Sequence, residues 1–399
     1  MKYDASLANE KDLHLFARSR NHPDGTTPPS GPDNNARKPL NEQLHHAVYT
    51  LDLRSIRWVL AQGADPNYLD VERVLSVAAS QRRPAILEAL LNAGADPQLC
   101  DRGRAKPLHH AARICDPHAL ETLLAHGANP NAGNACGETA LHILGEGGTG
   151  RFALVCVQIL IRHGAELEPR CRQGRTPLLT ACLNNNFGLA KVLLTLGADI
   201  NARDRTGNTC LHLLARSYHD YYSEDAKISL LGTLLDKGAK PNAVSPAVPS
   251  PLNFAVGRGS LRVVKKLLAA GANPALKKFA WYSPLERAIE SRESFDSAVT
   301  LALLRKGKFP RSLMARLLST TVQYGSTQAS SVQLIKTLFK RGVGSEAITE
   351  ADFRSMLRHV AKKNRGSSST GIPSNTRLVV NQLSNFGCEV PPFVIVALL

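Results

Sequence analysis

An all-α solenoid of short helix–turn–helix units is the fold this sequence predicts, and three observations predict it. A terminator, Gly-Ala-Asp/Asn with small variations, recurs at Gly63, Gly94, Gly127, Gly164, Gly197, Gly238 and Gly271, at spacings of 31, 33, 37, 33, 41 and 33 residues. A helix starter recurs in the same register, as Lys106-Pro107-Leu108-His109, Thr139-Ala140-Leu141-His142, Thr176-Pro177-Leu178, Thr209-Cys210-Leu211-His212, Ser250-Pro251-Leu252 and Ser283-Pro284-Leu285. Between them lies an apolar stripe, such as Leu189, Val192, Leu193 and Leu196, at the i, i+3, i+4, i+7 spacing of a helix face. Helices this short are marginal alone, so each unit must bury its face on the next.

The unit from Gly174 to Asn201 shows each part at work. The Thr176 hydroxyl suits an N-cap, and Pro177 at N1 loses nothing by lacking an N–H. Leu178, Ala181 and Cys182 give the first helix an apolar side. Asn184, Asn185 and Asn186 form the turn, and Gly197 supplies the left-handed residue that ends the second helix. A period near 33 with this starter and terminator resembles the ankyrin repeat. The resemblance covers about Leu40 to Pro310. It implies an ankyrin solenoid, and little about function, because the family serves many unrelated partners.

In chain order, residues 1–38 are not repeat. Ser6–Arg18 fits a short helix, and Asn21–Arg37 has the Pro, Gly, Asn and Asp content of a disordered linker. Met1–Ala5 lacks the apolar run of a secretory signal. Residues 39–310 form the repeat domain of seven to eight units. Its first unit, with Ile56, Trp58, Val59 and Leu60 as second-helix apolar residues, is degenerate, as suits a cap. The 37-residue spacing is explained by a flexible loop, Gly145–Gly150, and the 41-residue spacing by an insert, Ser217–Asp225, with Tyr218, Tyr221 and Tyr222 as a plausible contact cluster. Residues 311–399 read as two or three divergent basic repeats or a C-terminal cap, interrupted by a loop at Gly366–Ser374. Val394–Leu399 reads either as the last helix of that cap or as a gene model that ends early.

Composition narrows the function. The chain has 399 residues, 43% of them hydrophobic, and a net charge of +16. Between Lys277 and Arg377 stand 18 Lys/Arg against 7 Asp/Glu. Such an excess points to an acidic partner, a nucleic acid or an anionic membrane face. No apolar run approaches the roughly 20 residues of a membrane helix, so no membrane insertion is expected. The eight cysteines form no C-x-x-C pair. They read as reduced, mostly buried thiols of a cytoplasmic or nuclear protein.

No catalytic or metal-binding set is apparent, and no cofactor is expected. The histidines of the starter, His45, His109, His142 and His212, are spaced by a repeat length rather than by metal-ligand spacing. In the family such a histidine braces the turn between neighbouring repeats. Gly147-Gly148-x-Gly150 lacks the Lys-Ser/Thr and the preceding strand of a phosphate loop. Palmitoyltransferases can also carry ankyrin repeats, but their Asp-His-His-Cys signature is missing.

Recognition is the better-supported chemistry. The resemblance implies that the segment between a terminator and the next starter projects as a finger, and that fingers and first helices line a concave face. The finger residues Arg102, Arg104, Arg170, Arg172, Arg203, Arg205, Lys277 and Lys278 would make a basic ridge, at about 10 Å per unit, with Trp281 and Tyr282 as an aromatic anchor. The function expected is a non-catalytic scaffold or adaptor that binds an acidic protein segment. The alternative is nucleic-acid or anionic-lipid binding through the basic C-terminal third. Asn67, Asn131, Asn201 and Asn242 resemble finger asparagines that hydroxylases modify in some family members.

Overall fold

The computed structural model describes residues 34–68, 73–147, 152–217, 224–291, 295–325, 328–364 and 373–398. The Ser6–Arg18 segment, half of the Gly-rich segment, the three insert tyrosines and most of the Gly366–Ser374 loop lie outside them. The chain runs through α1 (Asn34–Tyr49), α2 (Leu53–Ala61), α3 (Val74–Ala79), α4 (Pro84–Asn92), α5 (Pro107–Arg113), α6 (Pro117–Ala125), α7 (Ala140–Gly147) and α8 (Ala153–Arg162). It continues through α9 (Pro177–Leu183), α10 (Phe187–Thr195), α11 (Cys210–Arg216), α12 (Glu224–Asp236), α13 (Pro251–Gly257) and α14 (Leu261–Ala269). The last part holds α15 (Pro284–Glu290), α16 (Ser297–Lys306), α17 (Arg311–Gly325), α18 (Ser331–Lys340), α19 (Glu350–Asn364), α20 (Ser374–Asn385) and α21 (Pro392–Leu398). Among the described residues the fold is all-α, apart from one isolated bridge between Ser245 and Val248.

Two layers result. The odd-numbered helices pack on one another in a row from α1 to α19, and the even-numbered helices form a parallel row from α2 to α20. From α1 to α18 each helix also packs on its partner in the same unit, and the apolar residues join one core cluster from Leu44 to Val394. The rows continue through α15, α17 and α19 without a break.

Local chemistry makes the units. Thr176 accepts from the Leu179 amide, Ser250 from Asn253 and Ser283 from Glu286. The second helices start on Asp116, Asn186, Ser260 and Asp296, whose side chains cap their first turns. All seven terminator glycines are left-handed, with φ from 84° to 95°, a conformation that costs a residue with Cβ and ends the helix.

The structure corrects four details. Gly145 is not loop: it is helical and buried, and a Cβ there would sit 3.1 Å from the Ala181 nitrogen, so it permits α7 to approach α9. Leu196 and Trp58 belong to the outward side, 39% and 58% exposed, because an outer helix wedged between two neighbours buries adjacent positions such as Leu193 and Leu194. Lys306-Gly307-Lys308, which reads in the sequence like the stop of a second helix, is not left-handed: Gly307 is extended, at φ −120°. Asn34–Arg37 of the linker segment belongs to α1.

Candidate functional site

The fingers are β-turn hairpins held from inside by their own acidic and amide groups. Asp101 accepts from the Ala105 amide at 2.9 Å and from His110 Nε2 at 2.8 Å. Asn134 Oδ1 accepts from the Cys136 and Glu138 amides. Asp204 accepts from the amides of Thr206 and Asn208 and from both their side chains. Burial alone would push the Asp204 carboxyl up, but these hydrogen bonds outweigh it and hold it below the usual carboxylate range.

Neighbouring fingers are tied side by side. The Arg172 amide donates to Cys136 O at 2.8 Å, and the Arg205 amide to Gln173 O at 2.9 Å. Ser245 Oγ donates to Thr206 O at 3.0 Å, and Trp281 Nε1 to Ser245 O at 3.3 Å. Histidines brace the finger bases. His212 Nδ1 accepts from the Thr209 amide at 3.0 Å, and its Nε2 donates to Ala243 O at 3.0 Å. His109 bridges the Lys106 amide to the carbonyls of Ala132 and Glu138, and His142 bridges the Thr139 amide to Arg175 O. Burial lowers the basicity of all three, His212 to a pKa of about 4. A neutral imidazole is required, since an added proton on Nδ1 would face an N–H donor.

This scaffold sorts the ten candidate residues. Arg102, Arg104, Arg172, Arg205 and Lys278 are exposed along the finger tips. Arg170 and Arg203 are exposed too, but their guanidinium groups are partly spent. Arg170 donates to Gly174 O and, across to the next finger, to Arg203 O at 2.7 Å; Arg203 donates to Val244 O at 3.2 Å. Lys277 pairs with Glu286 at 2.9 Å. Tyr282 is 52% exposed, whereas Trp281 is half-buried and bolts its finger to the preceding one. The outward partner of Tyr282 is Phe279, 57% exposed and left-handed at φ 56°. Sequence reasoning passed over Phe279, Arg113, Arg216 and Lys240, all exposed beside the fingers. The signal for Phe279 was its place in a polar finger with no apolar periodicity to bury it.

The asparagines after the terminators have structural work. Asn67, Asn131, Asn201 and Asn242 each donate Nδ2 to the next unit's terminator carbonyl (Gly94, Gly164, Gly238 and Gly271), and each accepts an amide two residues beyond it. No group of His, Cys, Asp and Glu fit to hold a metal occurs among the described residues.

A family model described as ankyrin repeats (3 copies) matches overlapping segments at 44–134, 75–154, 108–204 and 148–244, half of the chain. Human SH3 and multiple ankyrin repeat domains protein 2 is 27% identical over 230 residues, 57% of this chain and 12% of that protein. Mouse B-cell lymphoma 3 protein homolog is 28% identical over 208 residues, 50% of this chain and 44% of that protein. Palmitoyltransferase AKR1 of Lachancea kluyveri is 28% identical over 183 residues, 44% of this chain and 25% of that protein. In each case the shared stretch is less than half of the relative's length.

Proposed function

The chain belongs to the ankyrin-repeat family, and on that premise we propose that it is a non-catalytic scaffold or adaptor whose basic fingers and first-helix ends bind an acidic segment of a partner protein. Ankyrin repeats are protein-interaction modules, so a protein partner is the coarse expectation. The observation that supports the finer reading is the opposite treatment of the two charge signs. Asp101, Asp204 and Glu286 turn inward and are consumed by hydrogen bonds within their own fingers and units. Arg102, Arg104, Arg172 and Arg205 project, with Arg113 and Arg216 exposed at the ends of α5 and α11. Finger tips whose anions are turned inward and whose planar cations are presented favour carboxylates.

Nucleic acid or anionic lipid at the C-terminal third has less support. There Arg311, Arg316 and Arg354 pair with Glu346, Glu290 and Glu350, and Arg341 donates to Gly307 O. All eight cysteines are free thiols, six of them buried, which suits the cytoplasm or nucleus. No helix among the described residues is long and apolar enough to cross a membrane.

The test is capture from native extract, with nuclease and at two salt concentrations. The wild type is set beside a variant carrying Arg102, Arg104, Arg172 and Arg205 as Ala. Arg170 and Arg203 are left alone because they tie fingers together. Proteins that survive nuclease and vanish with the variant are the expected result. A catch of nucleic acid or lipid that ignores the variant and disappears at modest salt would overturn it.

A further inference from the structure

Beside the fingers lies a cleft of about 430 Å³ lined by Arg203, Lys240, Pro241, Asn242, Ala243, Val244 and Lys278. Its cations come from three successive inter-unit segments, those after Gly197, Gly238 and Gly271, and no carboxylate is among the lining residues. We propose that this cleft is a subsite for a phosphate monoester on the partner's segment, the side chain of a phosphorylated Ser, Thr or Tyr. The proposal rests on the protein-binding reading above and gives that surface a chemical preference.

Charge arithmetic favours phosphate over carboxylate. One carboxylate would neutralise a single cation and leave two unneutralised. A phosphate monoester carries close to two negative charges and three acceptor oxygens, which suits a cleft lined by three cations from separate segments. Arg203 is already oriented, because one of its N–H groups donates to Val244 O, and its remaining donors stay available for the forked contact that guanidinium makes with phosphate. The other polar lining side chain is committed: Asn242 donates to Gly271 O and accepts from the Asn273 amide. The polar side chains left for a ligand are thus cationic.

The finger that brings Lys278 is fixed beforehand. Trp281 fastens it to Ser245, and the Lys277–Glu286 pair fastens it to α15. That pair also neutralises Lys277 but not its neighbour Lys278. The same loop holds Phe279 in the left-handed region with its ring in water. A residue with a bulky side chain in that conformation is strained, and such strain collects at ligand-binding loops. Phe279 offers an apolar contact next to the charged one, the pairing common at binding hot spots.

The full chain is assayed by fluorescence anisotropy against degenerate peptide pools. Their fixed central residue is phosphoserine, phosphothreonine or phosphotyrosine, or the unmodified residue, or Glu. A phosphorylated pool is expected to bind at least about tenfold more tightly than its unmodified and Glu counterparts. Lys240→Ala with Lys278→Ala should remove that preference, while Arg57→Ala with Lys340→Ala, exposed cations far from the cleft, should keep it. Inorganic phosphate should compete and chloride of equal ionic strength should not. Melting curves check that both double variants keep the fold.

Equal binding of all pools, binding of none, or a cleft variant that behaves as the control would overturn the proposal, as would RNA or phosphoinositide vesicles taking the same lysines in place of peptide. The two readings fail separately. Pools that bind equally but are all lost with the four-arginine finger variant leave the acidic-segment reading standing without the phosphate subsite. A phosphate preference that survives the finger variant leaves the cleft standing without the ridge.

Discussion

From Leu40 to Ala272 the units are joined by the same bonds used again and again; from Lys277 onward each junction is made differently. In the first region three buried histidines brace finger bases, and carboxamides from Asn67, Gln98, Asn131, Asn201 and Asn242 reach the next unit's terminator carbonyl. In the second region Ser297 meets Ser331 at 2.6 Å, and Asp352 gathers Ser319, Gln323 and Thr349. Phe339 stacks on Phe386 at 4.3 Å. Both regions bury a similar helical core, so apolar packing alone does not demand the repeat signature. What the signature encodes is a repeated set of hydrogen bonds between units. In a solenoid, stability is a sum of unit and neighbour-interface contributions, so the two regions respond to different perturbations.

The largest expected effect is at His212. His212→Ala leaves the Thr209 amide without its acceptor and Ala243 O without its donor in a buried site. That costs about 3 kcal/mol, read as a lower urea midpoint. Hydrogen exchange should rise most in α11 and α13. Acid does the same work without a mutation. With Arg203 and Asp204 nearby, burial leaves His212 at about 4 in the fold, against about 6.5 unfolded. The unfolded chain takes up the proton first, so the contribution is complete above about pH 6.5. It falls as pH drops towards 4 and is level below that, a loss of about 3 kcal/mol. A urea midpoint that is flat between pH 7 and pH 4.5 would contradict this account.

Asp352 gives the contrasting case, with a smaller and more local effect. Burial pushes its carboxyl up, but bonds from Thr349, Gln323 and Ser319 outweigh that and hold it below its usual value. Its contribution is therefore present above about pH 4 and lost only as pH falls through the lowered value. Asp352→Asn is expected to cost about 2 kcal/mol at neutral pH. The loss should appear as faster exchange in α17 and α19, with α5 to α11 unchanged. Between pH 6.5 and pH 4.5 the repeat region should weaken while the Asp352 junction does not. Simultaneous loss would show that the two regions are one cooperative unit.

Much of this was legible in the sequence, and the reasons are specific. Thr176, Pro177 and Gly197 announced caps and stops because those positions require a side-chain acceptor, a missing N–H and a left-handed residue. The family resemblance implied that the starter histidines brace the turn between units, and His109, His142 and His212 do so. The charge sorting on the fingers was not legible. Whether Arg170 points to water or to Arg203 O depends on the neighbouring finger, about a repeat length away in sequence. How far Trp58, Trp281 and Phe279 face water was not legible for a related reason: helix periodicity says little about which face a wedged outer helix exposes, or which ring of an aromatic finger turns out.

Glu168 tests the repeated-bond account at its finest scale. It occupies the position held by Asn131 and Asn201, four residues after a terminator glycine. Its carboxylate accepts from the Asp199 amide at 2.8 Å, but an ionised carboxylate has no donor for Gly197 O. Burial pushes its carboxyl up, so its charge is less well solvated there than in water. Glu168→Gln keeps the length and the acceptor and adds the donor that Gln98 uses on Gly127 O at 2.7 Å. A gain of about 0.5–1 kcal/mol follows, a rise of roughly 2–3 °C in Tm. The matching change at the border, Ala275→Asn, should gain nothing, since Gly307 is extended and presents no turn of the kind that Gly197 does. Equal gains at both positions would mean that the asparagines act through local loop propensity. A gain at Glu168 alone would mean that they act as couplings between units, and that the coupling ends where the repeat register does.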